Sequence, residues 1–441
     1  MVGSERLLEI LENALKLCAG DQAEARIVAS DSQLTRYANS VIHQNVAETS
    51  ARLSVKIYIG KKMGRAGTND LSPESIRRTA KRAHEIAKLS PENPEFVSLP
   101  GPGPIPQVKS HFESTANADP DRRADNVLAI VERAKARGFE AAGAHSTSVR
   151  EMGVANTLGV RAYGASTAAE LTCVILSGDG SGYAQASSRD IDEIDAAAIA
   201  QEAIERCAMN TSQESIEPGE YVVLFEPYAA ADLVWNLANL GLSARTYQDG
   251  QSFLSGNMGK ALMSPAVTIW DDGLDPEGAP FPFDIEGQPK KRVPLIDKGR
   301  GVGVVYDSFT GFREELKEST GHASEFGASP ANLFVAPGER SREEILKSVA
   351  HGVLVTRLHY VRAVHSQKTI ITGMTRDGTF LIQDGRIKSA LKNLRFTQSV
   401  VESLATAIEF SKERRLLGVE RSVLTPAMLL EKFNFTGRTE H

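Results

Sequence analysis

The sequence contains little cysteine, with Cys18, Cys173 and Cys207 the only three in 441 residues. They are far apart and odd in number, and none belongs to a C-x-x-C pair. A disulfide framework or a cysteine-based zinc site needs paired or closely spaced cysteines, so neither is predicted. We expect three free, buried thiols.

The sequence also lacks any run of about 18 apolar residues, the length that a membrane-spanning helix needs. Its first residues do not form the basic and then apolar segments of a secretory signal peptide. We therefore expect a cytoplasmic protein that does not interact with membranes.

Positive charge is not in excess either. Lysine and arginine number 50 against 56 aspartate and glutamate residues, which gives a net charge of −6. A general nucleic-acid binder would carry a basic face, so nucleic acid is not an expected partner. The 41% hydrophobic and 24% charged residues are typical of a globular protein with a true core.

The order of predicted elements indicates an α+β protein with two domains. Residues 1–215 alternate between helical and strand patterns, with a Pro- and Gly-rich connector at 91–106. Residues 216–441 are rich in strands. Within this plan we predict a helix from Ser72 to Leu89, a loop at Gly178–Gly182, a hairpin at Gly378–Ile387 and a helix at Val400–Phe410. We also predict a first helix capped by Ser4 and separate strands at Ala23–Ala29 and Leu34–Ser40.

The stretch from Pro218 to Asp272 organises the second half of the chain. Tyr221–Phe225 is a short apolar run after a Pro-Gly turn and is typical of a buried strand. Pro227 suits the first turn of a helix. Apolar residues then follow at helical spacing, namely Ala231, Val234, Trp235, Ala238 and Leu242. A strand that leads into a buried helix is therefore predicted here.

This stretch resembles the start of the C-terminal domain in the TldD/TldE peptidase family, whose TldE branch is also called PmbA. Further short motifs resemble the family in the same order along the chain: Phe283–Gly287 (FDIEG), Ser319–Ala323 (STGHA), Asn332–Gly338 (NLFVAPG) and Asn393–Ser399 (NLRFTQS). The resemblance implies the family's two-domain fold. It also implies a two-subunit peptidase that cleaves unfolded or small, modified peptides.

In the TldD branch, the helix after the first strand carries H-E-x-x-x-H, which implies zinc bound by two histidines with a glutamate acting on water. In this chain the corresponding positions are Val234, Trp235 and Asn239. Valine and tryptophan are not zinc ligands, and a lone asparagine is a poor one. The C-terminal cysteine of the TldD branch is also missing, because no cysteine follows Cys207. The resemblance is therefore to the TldE branch.

We accordingly expect no catalytic residue and no metal ligand in this chain, and zinc in a TldD-like partner subunit. A homodimer is possible when that partner is absent. Three residues are candidates for peptide binding: His322, which replaces an asparagine of the family motif, and Arg357 and His359 on a predicted strand. Arg357 could hold a peptide carboxylate in a bidentate fork or form a surface ion pair.

Other polar residues leave two interpretations open. Asp271, Asp272, Asp284 and Glu286 could supply a general acid and base, but aspartates beside glycine are equally typical of turns. Lys290–Arg292 is interpreted as a solvated turn.

The favoured hypothesis is a non-catalytic TldE/PmbA-like subunit of a zinc-dependent peptidase complex. The alternatives are a scaffold or modulator that binds another protein without proteolysis, and a stand-alone hydrolase with an unassigned site.

Overall fold

The computed structural model describes residues 1–314 and 317–438, and its architecture is mixed α+β, as predicted. The helices are α1 Ser4–Lys16, α2 Pro73–Leu89, α3 Glu113–Ala116, α4 Pro120–Ala136, α5 Ala196–Met209, α6 Pro227–Gly241, α7 Ala244–Gln248, α8 Ser308–Arg313, α9 Arg342–Ser348 and α10 Val400–Ala405. A short 3-10 turn covers Ile191–Glu193.

The strands fall into two main sheets. Those of the first sheet are β1 Gln22–Ala38, β2 Val41–Ile59, β3 Lys62–Thr68, β4 Glu140–Asn156, β5 Arg161–Ser177 and β6 Gly180–Ser188. Those of the second sheet are β7 Gly219–Phe225, β8 Ile269–Asp272, β9 Arg292–Asp297, β10 Arg300–Gly301, β13 Asn332–Val335, β14 His351–His365, β15 Ile370–Gln383, β16 Arg386–Ala390, β17 Leu394–Ser399, β18 Ala407–Leu417 and β19 Ser422–Arg438. Strands β11 Ala323–Ser324 and β12 Gly327–Ala328 form a small separate hairpin.

The first sheet is antiparallel throughout, with the strand order β3-β2-β1-β4-β5-β6. The two strands predicted at 23–29 and 34–40 are in fact one continuous strand, β1. It turns into β2 at Asn39 and Ser40, both of which have positive φ angles of 51° and 58°. Apolar side chains of β1 and β2 pack against α1 and α2 in one hydrophobic core.

The second sheet contains a closed ring of strands around a buried helix. β7 pairs with β14 on one side and with β19 on the other, and β19, β17, β15 and β14 complete the ring. Helix α6 packs against β14 and β19, and most of its residues are buried. A helix in contact with strands on several sides must be apolar nearly all round, as α6 is.

Several local predictions are confirmed. Helix α2 begins at Pro73, and the Ser72 side chain accepts a hydrogen bond from Ser75 N at 3.4 Å. The hairpin between β15 and β16 turns at Asp384 and Gly385, both with positive φ, as an Asp-Gly turn requires.

Other local predictions are wrong. The predicted helix at 400–410 stops at Ala405, and the chain continues as β18 along β19, because strand pairing outweighs the local helical pattern. Only residues 178–179 of the glycine-rich loop are a turn, since Gly180 begins β6. The cap of α1 is Gly3 and not Ser4. The thiol of Cys18 is partly exposed, whereas Cys173 and Cys207 are buried.

The two sheets occupy residues 22–188 and 219–438. Residues 91–106 contain no named helix or strand. The division of the chain between residues 215 and 216 into two domains stays a prediction. Within residues 1–314 and 317–438, no helix is both long and apolar enough to cross a membrane.

Candidate functional site

Helix α6 does not present a metal site at the positions where the family motif is expected. Val234 is fully buried in the core, Trp235 is partly buried with the Arg421 guanidinium 5.8 Å from its ring, and Asn239 is exposed. The three side chains thus lie in three different environments. Moreover, no register of the motif would help, because α6 contains no histidine, cysteine or glutamate and its one carboxylate is that of Asp232.

A zinc ion therefore does not fit the residues of α6. Elsewhere in the described part of the chain, no group of three histidine, cysteine, aspartate or glutamate side chains is arranged to hold a metal ion.

The three candidate peptide-binding residues are not gathered at one place. His322 is buried beside a cleft between the two sheets, whereas Arg357 and His359 lie on β14 and do not line that cleft. Arg357 Nε donates to Asp377 Oδ2 at 2.6 Å, and its guanidinium lies 4.0 Å from the Tyr183 ring centre. Arg357 thus has an internal carboxylate partner, which is buried.

His359 differs from His322 in its surroundings. Burial, together with the nearby Arg376 and Arg357 charges, lowers the pKa of His359. A neutral imidazole at this position is an acceptor and a donor but carries no charge for a peptide carboxylate.

The cleft lies between strands β4 and β5 of the first sheet and loops that project from the second sheet, and its volume is 280 Å³. The second wall comes from three loops, at residues 279–290, 322–332 and 419–421. Charged and polar side chains share the lining with the aromatic rings of Phe281, Phe283 and Phe326. Such a mixture of apolar walls and a few polar groups is typical of ligand sites.

His322 lines this cleft, and behind it His322 forms a buried pair with Asp271. His322 Nε2 lies 2.8 Å from Asp271 Oδ1, and His322 Nδ1 lies 3.0 Å from Thr320 Oγ1. Asp271 Oδ2 accepts hydrogen bonds from Ala331 N at 2.6 Å and Asn332 N at 3.0 Å. Burial alone would raise the pKa of Asp271, but His322 and these hydrogen bonds outweigh it and lower the pKa.

Asp284 is held by backbone groups alone. It accepts hydrogen bonds from Glu286 N at 2.9 Å, Gln288 N at 3.0 Å and Ala323 N at 2.8 Å. Asp272 similarly accepts from Leu274 N at 3.0 Å. These are the contacts of turn-forming aspartates, so they favour turn formation over a general acid and base for these two residues.

Glu286 differs from these two aspartates because its pKa is strongly raised. Burial first, and then the neighbouring Asp284 carboxyl, raise the pKa of Glu286 to about 8. Its Oε2 accepts a hydrogen bond from Ser308 N at 3.1 Å.

Two cations of the cleft were not among the predicted site residues. Arg189 follows β6, and Lys290 belongs to the run interpreted as a solvated turn, which is wrong for Lys290 because it is mostly buried in the cleft wall. Gly321, at a φ of 76°, permits this placement, since a Cβ there would lie 2.3 Å from Pro289 O. Nothing in the sequence distinguishes Lys290 from the exposed Lys291.

Comparison with known proteins agrees with this architecture. Three family models match in succession: PmbA/TldA metallopeptidase domain 1 over residues 23–87, the central domain over 112–210 and the C-terminal domain over 218–437. The chain belongs to the PmbA/TldD family. The resemblance found in the short motifs is thereby confirmed, and the chain shares the family's three consecutive domains.

Individual family members are distant in sequence and close in fold. The chain is 25% identical to Metalloprotease PmbA of Escherichia coli O157:H7 over 379 residues, which is 80% of each chain. It is 23% identical to a metalloprotease of Methanothermobacter thermautotrophicus over 235 residues, about half the length of each. The crystal structure of TldE from Thermococcus kodakarensis superposes with a TM-score of 0.88 at 23% identity, over 97% of this chain and 99% of that one.

Proposed function

We propose that this chain is a non-catalytic, TldE-like subunit of a PmbA/TldD-type peptidase that acts on unfolded or small peptides. It pairs with a TldD-like subunit that carries H-E-x-x-x-H and supplies the zinc. The observation that carries the proposal is the composition of α6, which has a buried valine, a partly buried tryptophan and an exposed asparagine where the motif is expected.

The pairing accounts for a peptidase fold whose own helix lacks metal ligands. A stable pairing buries about 800 Å² per partner around an apolar centre. The C-terminal half exposes large apolar side chains that could form such a centre, including Val302, Phe326, Tyr360 and Val364.

The test is peptide hydrolysis by this chain, by a TldD-like homologue and by their mixture, each with and without a chelator. We expect no cleavage by this chain alone and chelator-sensitive cleavage by the mixture. Robust, chelator-resistant cleavage by this chain alone would favour the stand-alone hydrolase. Failure to bind any TldD-like homologue would favour the scaffold, with or without a homodimer.

A second measurement addresses the metal directly. Elemental analysis of the purified, dialysed chain is expected to find no stoichiometric zinc, since α6 offers no ligand set. The triple variant Val234→His, Trp235→Glu and Asn239→His is also expected to remain inactive, because the cysteine of the TldD branch is absent as well. One equivalent of tightly bound zinc in the natural chain would contradict the proposal.

A further inference from the structure

We propose that the cleft between the two sheets binds the C-terminal carboxylate of a peptide through Arg189 and Lys290. The peptide as ligand class rests on the proposed function. The carboxylate as the group bound rests on the charges of the cleft itself.

Arg189 is a buried cation that has no carboxylate within ion-pair distance in the described part of the chain, although the more distant Glu420 acts on it. It is 9% exposed, and its guanidinium donates to backbone carbonyls only, namely Thr167 O at 2.9 Å, Ala279 O at 3.1 Å and Pro280 O at 3.2 Å. Its buried Nε has no hydrogen-bond partner among the described residues. A buried charge is costly unless an opposite charge compensates it, so an anion in the cleft would be strongly favoured.

Lys290 is the second cation, and it is partly buried in the cleft wall. Its side chain lies over Gly273, where an added Cβ would be 2.1 Å from Lys290 Cδ, so its direction is fixed by close backbone packing. Within residues 1–314 and 317–438, no carboxylate lies within ion-pair distance of its ammonium group. Burial lowers the pKa of Lys290, although the more distant Asp271 and Asp284 oppose this effect. An incoming carboxylate would supply the missing close partner.

The acidic side chains of the cleft are already engaged. Glu325 pairs with Arg26 and with Arg65, the latter at 2.6 Å. Glu420 is mostly exposed, lies 3.9 Å from Arg150 and acts on Arg189 from a greater distance. Asp284, as described above, accepts three backbone hydrogen bonds. The charges of the cleft that lack a close partner are therefore positive, and they favour an anionic ligand.

The surroundings of the two cations suit the end of a peptide. Phe281 and Phe283 provide apolar walls, and Phe326, which is 90% exposed, lies at the rim on the turn of the β11–β12 hairpin. Ser148 and Ser166 add hydroxyl groups. A volume of 280 Å³ admits a terminal residue but not a folded chain. A carboxylate beside an apolar side chain matches this distribution of groups.

The experiment is calorimetric titration of the full chain, without any partner subunit, with an N-acetylated tetrapeptide ending in leucine. The same peptide is used as the free acid and as the C-terminal amide. We expect the free acid to bind. The amide should bind at least about tenfold more weakly, since a charge-assisted contact is lost.

Variants assign the effect to the cleft. Lys290→Met should weaken binding of the free acid about tenfold and leave binding of the amide nearly unchanged. Lys291→Met is the matched control, because Lys291 is adjacent, exposed and paired with Glu318 at 2.6 Å outside the cleft. Arg189→Met should act in the same direction as Lys290→Met, and circular dichroism verifies that each variant is folded.

Equal binding of acid and amide by the natural chain would overturn the proposal, as would undiminished binding by folded Lys290→Met. Binding of inorganic phosphate without binding of the free acid would also overturn it, because the ligand would then be a small anion and not a peptide. Since no partner subunit is present, this result is independent of the hydrolysis test. If the chain neither cleaves nor binds the peptide, only the binding proposal fails. If it binds the peptide and also cleaves it without a partner, only the proposed non-catalytic function fails.

Discussion

Helix α6 and the cleft between the sheets differ in how they surround a buried aspartate. Asp232 lies on α6, and Asp271 lies behind His322 of the cleft; both are mostly or fully buried. Burial raises the pKa of Asp232 to about 7, and the nearby Arg357 only partly opposes this. For Asp271 burial acts in the same direction, but His322, Lys290 and backbone hydrogen bonds reverse it and the pKa is lowered.

The two pKa shifts differ because the surroundings of the two carboxyl groups differ. Helix α6 is surrounded by strands and apolar side chains, so an ionised group on it finds little stabilisation. Asp271 instead has prearranged hydrogen-bond donors around its carboxylate. In this chain α6 is built largely as core.

The largest expected effect comes from placing a polar group in the core of α6. Val234→His should lower the free energy of unfolding by about 4 kcal/mol, because a larger, polar ring would replace a fully buried valine. Asn239→His on the same helix is the control and should change it by less than about 0.5 kcal/mol, since Asn239 is exposed. Urea denaturation measures both; equal effects would mean that α6 is not part of the core.

The cleft provides the second test. Asp271→Ala should lower the free energy of unfolding by about 3 kcal/mol, because His322 and two backbone N–H groups would lose their buried partner. Asp272→Ala removes the neighbouring carboxylate, which accepts one hydrogen bond from Leu274 N, and should cost about 1 kcal/mol. Thermal unfolding of the two variants measures both effects. A larger loss of stability for Asp272→Ala than for Asp271→Ala would contradict the hydrogen-bond network described here.

The effect that is smallest over any single pH unit is the change of stability with pH that Asp232 causes. The folded-state pKa of Asp232 is raised from its usual 3.8 to about 7, so the folded state binds more protons than the unfolded state in that interval. This group's contribution to stability is complete below pH 3.8 and is lost as the pH rises toward 7, by at most about 1.4 kcal/mol per pH unit. Asp232→Asn should remove that loss.

The measurement is urea denaturation of the natural chain and Asp232→Asn at several pH values from 4 to 7. Asp271 acts with the opposite sign, because its lowered pKa gives stability above its usual pKa that is lost as the pH falls through the folded-state value. Superimposable pH profiles for the natural chain and Asp232→Asn would show that α6 does not hold the aspartate in a desolvated position.

Local patterns in the sequence were sufficient for elements whose signals are local. Ser72 and Pro73 predicted where α2 begins, and the Asp384–Gly385 pair predicted the hairpin between β15 and β16. The apolar run and Pro227 predicted β7 and α6. In each case the determining interactions lie within a few residues, so the sequence alone contains them.

Long-range pairing decided what local patterns did not. Residues 407–410 continue a helical pattern, yet they form β18 because β19 lies alongside them. The family also followed from the sequence, since the short motifs depend on residue identity.

The cleft did not follow from the sequence. Arg189 precedes both Lys290 and His322 by more than a hundred residues along the chain, and it meets them only where the loops of the second sheet close over β4 and β5. Lys290 and Lys291 are chemically identical in the sequence, and only the packing of Lys290 over Gly273 and Gly321 separates a partly buried cation from an exposed one. Burial is a property of the assembled chain, and burial is what determines the electrostatics of this cleft.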